Sequence, residues 1–294
     1  MGTTSLYQLL ASELEAVDDV IIAAYGLTQG RKRTLQRYLA LQPDGAFVAK
    51  QDDVIVGFGA AIQYTAFAYI DLMAVHPTAQ KQGIGHLLVE HILGWLDTSK
   101  CSTVLLDATP VGAPLYEHFG FVEDDTTLVL HYNGDQANHA CQVAGERDNI
   151  TLHDCTSVLN REQFPTLFAY DACAFGSERA TVLASYWADD PQRVMVTSDV
   201  EGQITGYLIA QSGILGPWVA NTIEDAERLL THALTLPFKQ RPGVFVSVRN
   251  ESALNLLQRY GFSEQRTLKH MRRGKEVQRS RATTLYGQAS LGLG

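Results

Sequence analysis

In Ala68-Tyr69-Ile70-Asp71-Leu72-Met73-Ala74-Val75-His76-Pro77-Thr78-Ala79-Gln80-Lys81-Gln82-Gly83-Ile84-Gly85 the chain changes its hydrophobic period. The first eight residues are apolar and rich in strand formers, which predicts a buried β-strand over 68–75. From Ile84 the apolar positions become Ile84, Leu87, Leu88, Ile92, Trp95 and Leu96, one face of an amphipathic helix. Toward the N-terminus, the strand-like runs 47–49 and 54–62 flank the tight turn Gln51-Asp52-Asp53 and complete a three-strand meander. Toward the C-terminus, residues 103–107 predict a short strand, 113–118 a short helix with Gly120 as its C-cap, and 128–132 a last strand. Meander, helix, strand, helix and strand predict an α/β fold (an α+β mixed sheet).

The loop between the first strand and the helix carries Gln80-x-x-Gly83-x-Gly85 directly at a helix start. Several backbone N–H groups there lack intrahelical partners, and two positions have no Cβ to hold a ligand away, which suits a pyrophosphate. The plainer reading is that Gly83 and Gly85 only shape a turn. A dinucleotide fingerprint is the rival, because Asp107 ends the next strand 22 residues after Gly85, near the spacing of a ribose-binding carboxylate. Leu88 stands where that fingerprint needs its third glycine, and seven residues separate Val75 from Gly83. No Gly-Lys-Ser/Thr follows, which excludes a P-loop.

Length and charge bound the rest. A chain of 294 residues suggests two domains, and 46% hydrophobic with 19% charged residues is an ordinary globular composition. A formal charge of −9 argues against a nucleic-acid backbone as partner, so any anion is bound locally. Cys101, Cys141, Cys155 and Cys173 form no CxxC pair, which predicts reduced, buried thiols, no structural metal and a cytoplasmic location. The N-terminal residues show no basic and apolar leader, and no run reaches the ~18 apolar residues of a membrane span, so no membrane partner is expected. Oligomeric state is not legible.

Laid over itself, the chain repeats. Tyr38 and Pro43 match Tyr186 and Pro191 at an offset of 148, and Leu115-Tyr116-x-x-x-Gly120-Phe121 matches Leu256-Leu257-x-x-x-Gly261-Phe262 at 141. Two copies predict two domains, residues 1–135 and 145–294, joined by the polar stretch 133–138.

The strand 70–77, the Gln80-x-x-Gly83-x-Gly85 loop and Leu115-Tyr116-x-x-x-Gly120-Phe121 together resemble the GNAT superfamily of N-acetyltransferases. Asp107-Ala108-Thr109-Pro110 and the closing Leu285-Tyr286-Gly287 resemble its bacterial subgroup of two tandem GNAT-like domains with a degenerate second copy. The resemblance implies acetyl-CoA as co-substrate. It places the pyrophosphate on the N–H groups of Gln80, Lys81, Gln82, Gly83, Ile84, Gly85 and His86, and the pantetheine arm along Met73, Ala74 and Val75. Thr109 and Tyr116 also stand against the cofactor, and the thioester lies in the splay between the strands ending at Val75 and Asp107.

Acetyl transfer needs a deprotonated amine, a polarised carbonyl and an acid for the departing thiolate. Tyr116 is the family-like acid, or else a packed core tyrosine. Asp71, the one carboxylate on its strand, shares a face with Tyr69 and Met73 by period two and is the base or amine-orienting candidate, or a solvated strand residue. His76 reads as a turn histidine.

In the second copy Asp225 and Glu227 take the places of Gly83 and Gly85, and Leu257 that of Tyr116, so the cofactor loop and the acid are both lost. Asp171, Phe175 and Arg179 are expected to wall the acceptor cleft, or to be a structural ion pair. Seven basic residues between Arg266 and Arg281 read as a solvated strand face or a site for an acidic acceptor or the CoA 3'-phosphate. The resemblance therefore implies an N-acetyltransferase that moves acetyl by direct attack onto a primary amine of an unidentified acceptor, expected to be a small molecule. The alternatives are a non-catalytic acyl-CoA-sensing module and a dinucleotide-binding oxidoreductase.

Overall fold

A computed structural model describes residues 3–134 and 156–294. The chain divides into two compact units, Met1–Asp124 with His270–Val277, and Asp125–Lys269 with Gln278–Gly294. Cys141, Cys155 and most of the expected linker lie outside the described residues.

The first unit opens with β1 (Thr4–Gln8), α1 (Leu14–Tyr25) and α2 (Lys32–Leu41), then β2 (Ala46–Gln51), β3 (Val54–Gln63) and β4 (Ala68–Val75). It continues with α3 (Ile84–Thr98), β5 (Thr103–Ala108) and α4 (Ala113–Glu117). Its strands lie in the order β1-β2-β3-β4-β5, antiparallel up to β4 and parallel between β4 and β5. The strand β6 (Val122–Tyr132) contains the run 128–132 read from sequence as the last strand of the first copy, and from Asp125 on it belongs to the second unit. In its place beside β5 stands the end of β12 (Phe262–Gly274), whose Met271 is fully buried in the α3-side core. The division thus departs from the boundary expected between residues 135 and 145. At the end of β12 the backbone comes close to the residue before β5: a Cβ on Gly274 would fall 2.0 Å from the Ser102 carbonyl oxygen.

The helix α3 buries Ile84, Leu88, Val89, Ile92, Leu93 and Leu96 against β2, β3, β4 and β5. Leu87 is exposed and Trp95 half-buried, so the stripe is rotated slightly from the one read in sequence. At roughly 1.5–3 kcal/mol for each fully buried Ile or Leu, this face is a main source of the unit's stability.

The second unit contains β6, β7 (Thr156–Val158), α5 (Phe164–Phe175), α6 (Ala180–Asp189), β8 (Val194–Ser198), β9 (Ile204–Ala210) and β10 (Leu215–Ala220). It ends with α7 (Ile223–Leu234), β11 (Gly243–Ser247), α8 (Glu251–Arg259), the start of β12 and β13 (Leu285–Gly287). Strands β7-β8-β9-β10-β13 are neighbours in that order, and the start of β12, β6 and β11 form a second run. Cys173 is exposed rather than buried, because the inward side of α5 is carried by Leu167, Asp171, Ala174 and Phe175. Among the described residues no helix is long and apolar enough to cross a membrane.

Candidate active site

The strands β4 and β5 pair only at Ala68–Val104 and Tyr69–Leu105. Beyond that point they separate, and a bulge drives the separation. Leu72 adopts φ 54°, in the left-handed region, and the β3–β4 register shifts opposite it. The bulge also breaks the alternation along β4. Asp71 keeps the face of Tyr69, but Met73 crosses to the α3 side, where its sulfur approaches Ile92 and Gly59. The shared face read from sequence for Tyr69, Asp71 and Met73 therefore holds for the first two only.

Asp71 lies at the start of this opening. Its Oδ2 accepts a hydrogen bond from the Tyr38 hydroxyl at 2.6 Å, and Tyr38 is itself buried. Burial pushes the Asp71 carboxyl above the usual carboxylate range. Tyr38 and the Leu72 N–H oppose that shift, the charge of Asp107 reinforces it, and Arg31 opposes it. Tyr116, on α4, is buried with its ring edge-on to Phe121 at 5.8 Å. Burial first and the charge of Asp71 second raise its phenol well above its ordinary value, so the hydroxyl keeps its proton across the neutral range. The charge of Asp71 thus reaches the Tyr116 phenol.

The carbonyls of Met73 and Val75 are each met by a side chain. The Tyr25 hydroxyl donates to Met73 at 2.9 Å, and the Gln80 amide donates to Val75 at 3.1 Å. Ala74 is buried and offers only backbone. In the following loop His76 caps a short turn, its Nδ1 2.8 Å from the Thr78 hydroxyl, which is the turn role expected of it. Lys81 and Gly83 both adopt left-handed φ, at 61° and 81°. A Cβ on Gly83 would meet nothing within 4 Å, and one on Gly85 would sit 3.5 Å from Leu115 and 3.9 Å from Val75. The loop is open in front of Gly83, and the first N–H groups of α3, at Ile84, Gly85 and His86, have no intrahelical acceptor. Gln82 donates to the Thr78 carbonyl at 3.4 Å, and the His86 ring stacks at 4.5 Å on Phe119. Thr109 is exposed, and its hydroxyl accepts from the Gly112 N–H at 3.1 Å.

Asp107 has a different role from the ribose-binding one weighed for it. Its side chain is fully buried and lies 3.1 Å from His270 Nδ1. Sequence reading missed His270, Tyr38 and Tyr25 as site residues. Tyr38 carried a signal in the repeat, whereas His270 stands 163 residues from its partner and carried none.

The residues expected to wall an acceptor cleft are in the core of the second unit. Asp171 and Phe175 are 0% exposed and Arg179 is 2%. Arg179 grips Asp171 with two hydrogen bonds of 2.8 Å, donates to the Gly294 carbonyl at 2.6 Å, and lies 3.8 Å over the Phe175 ring. Tyr207 completes the set with a hydrogen bond to Asp171. Asp171, Phe175 and Arg179 thus satisfy one another and a chain segment, and the ion-pair alternative is the one realised. The basic run is likewise divided. Arg281 is buried on Asp125, Thr127 and Gln288, Arg272 meets Asp124, and Arg273 meets Asp97.

Where the second unit repeats the β4–β5 opening, as β10 and β11, its own chain fills the space. The strand β13 pairs antiparallel with β10, and Gln288 N–H donates to the Phe245 carbonyl on β11 at 2.9 Å. Asp225 caps α7 reciprocally with Thr222, Glu227 accepts from the Tyr260 hydroxyl at 2.9 Å, and Leu257 is wholly in the core.

Comparison with known proteins agrees with this reading of the fold. Residues 42–123 and residues 167–287 each match the acetyltransferase (GNAT) domain family. The uncharacterized N-acetyltransferase YitH of Bacillus subtilis is 25% identical over 203 residues, 67% of this chain and 67% of that one. The uncharacterized N-acetyltransferase ycf52 of Gracilaria tenuistipitata is 35% identical over 71 residues, and the match spans 39% of its length and 24% of this chain. A solved Pyrococcus horikoshii structure, assigned to the acetyltransferases, superimposes with a TM-score of 0.82 at 23% identity, covering 99% of this chain and 96% of that one.

Proposed function

The chain belongs to the GNAT acetyltransferases as two such domains in tandem, and on that premise we propose that its first unit transfers acetyl from acetyl-CoA directly to a primary amine. What supports the reading is the parting of β4 and β5 beyond Tyr69 and Leu105, with the half-buried Asp71 on β4 held by Tyr38 and its charge acting on the buried Tyr116 phenol of α4. One is a carboxylate suited to accept a proton from an incoming ammonium. The other is an acid that stays protonated until a strong base forms beside it.

On this reading the cofactor is held by β4 and by the loop that follows it. Backbone at Met73 and Val75 offers edge hydrogen bonds to a pantetheine arm, and each carbonyl retains a second lone pair beside its Tyr25 or Gln80 donor. The N–H groups at the start of α3, with Lys81 beside them and no carboxylate from Gln80 to His86, suit a pyrophosphate. The ammonium gives a proton to Asp71, and its lone pair attacks the thioester carbonyl. The C–S bond then breaks, and the thiolate takes the Tyr116 proton. The new amide nitrogen returns its extra proton to the phenolate.

The test is an amine-library screen for acetyl-CoA-dependent product, with release of CoA thiol as the readout. Product from at least one primary amine is expected. Tight acetyl-CoA binding with no thiol release for any amine would replace catalysis with the acyl-CoA-sensing role. Nicotinamide dinucleotide binding in place of acetyl-CoA would replace both, although Leu88, at the third-glycine position, is fully buried.

A further inference from the structure

Solvent reaches the middle of β4 at its bulge. Residues 68–70 and Ala74 are buried, whereas Asp71, Leu72 and Met73 are only half-buried. Both ends of the α1–α2 connection are fixed to this stretch. The Tyr25 hydroxyl, at the end of α1, donates to the Met73 carbonyl at 2.9 Å, and the Tyr38 hydroxyl, in α2, donates to Asp71 at 2.6 Å. Arg31 lies between them, as the residue before α2. Its backbone N–H donates to the buried carboxylate of Asp18 in α1, and Gly30 passes so close that a Cβ there would fall 2.1 Å from the same carboxylate. Arg31 precedes the buried Leu35 by four residues and the buried Tyr38 by seven, so it continues the inward row of α2 past the helix start. Its side chain is exposed, and among the described residues no carboxylate makes an ion pair with its guanidinium. The next residue, Lys32, is by contrast taken by Glu15.

We propose that Arg31 selects the acceptor: the small molecule that presents its amine to Asp71 carries a carboxylate that Arg31 binds, so the acceptor class is the free amino acids. The basis is geometry and charge. The row Arg31, Leu35, Tyr38 leads along α2 to the Asp71 carboxylate, and the positive charge of Arg31 acts on that carboxylate beside the negative charge of Asp107. One small molecule can therefore span the two ends, its ammonium drawn to Asp71 and its carboxylate to the guanidinium, whose planar fork offers two parallel N–H groups to a carboxylate. Held at both ends, the amine is aimed rather than merely captured. The same guanidinium repels the second ammonium of a diamine, which turns one residue into both an attraction and an exclusion. A single guanidinium also matches a single negative charge. A phosphate dianion would bring surplus negative charge toward Asp71 and Asp107, so the carboxylate is the better partner.

This inference rests on the transferase reading, and the experiment separates the two. The full chain is given free amino acids, their carboxamides, diamines and aminoalkyl phosphates with acetyl-CoA, and thiol release is followed. The parent is expected to favour at least one amino acid over its carboxamide by about tenfold or more in kcat/KM, chiefly through KM. In Arg31→Gln that ratio is expected to fall to within about twofold of one. Arg31→Lys, which keeps the charge and loses the fork, should retain part of the preference. Both variants keep the bond to Asp18, because it uses the backbone of Arg31. A parent with equal kcat/KM on acid and carboxamide, or one that prefers diamines or aminoalkyl phosphates, overturns the inference and leaves the transferase reading intact. A preference for the amino acid that persists undiminished in Arg31→Gln overturns it too, since Arg31 then plays no part. A parent that acetylates no amine of any class overturns the reading and the inference together.

Discussion

Asp71 and Asp107 each stand two residues past the last paired residues of their strands, Tyr69 and Leu105, so two carboxylates flank the gap where β4 and β5 part. The Leu72 bulge follows directly on Asp71, Tyr38 donates to that carboxylate, and the Tyr69 ring lies 6.1 Å from His270. The bulge that opens the sheet and the carboxylates that flank it are thus parts of one device.

Burial, reinforced by Asp107, raises Asp71 above its ordinary value of about 3.9. Its contribution to stability is therefore complete below that unfolded value and is lost as pH rises through the folded one. Asp71→Asn should melt at a higher temperature than the parent at pH 8, at the same temperature near pH 3, and with little acetyl transfer at either. The acid limb of kcat/KM in the parent should lie above the usual carboxylate range. Tyr38→Phe, which removes a hydrogen bond favouring the ionised form, should move that limb to still higher pH. A limb that shifts down in Tyr38→Phe would falsify the assignment of Asp71 as the ionised partner.

Tyr116→Phe keeps the ring that packs on Phe121 and removes only the hydroxyl. If the phenol protonates the leaving thiolate, kcat falls by about 10²-fold or more while the acetyl-CoA dissociation constant stays put. Stopped-flow thiol release and calorimetry on the same variant measure the two quantities. A lower melting temperature with unchanged kcat would make Tyr116 a packing residue instead.

The two glycines of the cofactor loop separate folding from binding. Gly83 needs its φ of 81°, so Gly83→Ala strains the backbone by about 1 kcal/mol even though the new methyl meets nothing. Gly85 has room for a methyl in ordinary contact with Leu115 and Val75, so Gly85→Ala should keep or gain thermal stability. That methyl enters the space between β4 and α4, and acetyl-CoA affinity should drop about tenfold, or about 1.4 kcal/mol. Equal affinity in a stable Gly85→Ala protein would place the pyrophosphate elsewhere.

Much of this arrangement could be read from the sequence because local signals carried it. The bounds of β4 are as expected from the apolar run 68–75, and α3 starts at the expected Ile84, since strand propensity and helix periodicity act within a few residues. Tyr116 and Asp71 came from a motif and from the lone charge on a strand. The bulge did not, because a leucine at φ 54° has no sequence mark, and it undid the period-two placement of Met73. His270 was hidden for another reason. Its partner Asp107 stands 163 residues away in the chain, a long-range pairing that no window of sequence contains.

Arg179 was read as a wall of the acceptor cleft and is instead buried on Asp171 and the Gly294 carbonyl. Removing one partner of a buried, hydrogen-bonded ion pair typically costs about 3–5 kcal/mol, because the other charge is left without compensation. Arg179→Ala should therefore lower the unfolding free energy by that order in a urea titration. The amine KM of the protein that remains folded should be unchanged. A large rise in KM at parental stability would restore the cleft role.

The last prediction is the number of cofactors per chain. Repeated folds suggest two sites, but the second unit has three features that oppose one. At the start of α7, Asp225 and Glu227 set carboxylates where phosphates would lie, and both are engaged, Asp225 with Thr222 and Glu227 with Tyr260. Between β10 and β11, β13 and Gln288 already make the hydrogen bonds that a pantetheine arm would need. Gly287 lets that strand lie close, since a Cβ there would fall 2.7 Å from the Leu215 carbonyl oxygen. Leu257 has no proton to offer a thiolate. Calorimetry should return one acetyl-CoA per chain, and the double variant Asp225→Gly with Glu227→Gly should still return one, because the strand and not only the charge blocks the site. Residues 1–135 alone should bind weakly at best, since they lack Met271 from the core and His270 beside Asp107. Two equivalent sites in the parent, or a second site appearing in the double variant, would show that β13 yields to the cofactor and would overturn the division of labour between the units.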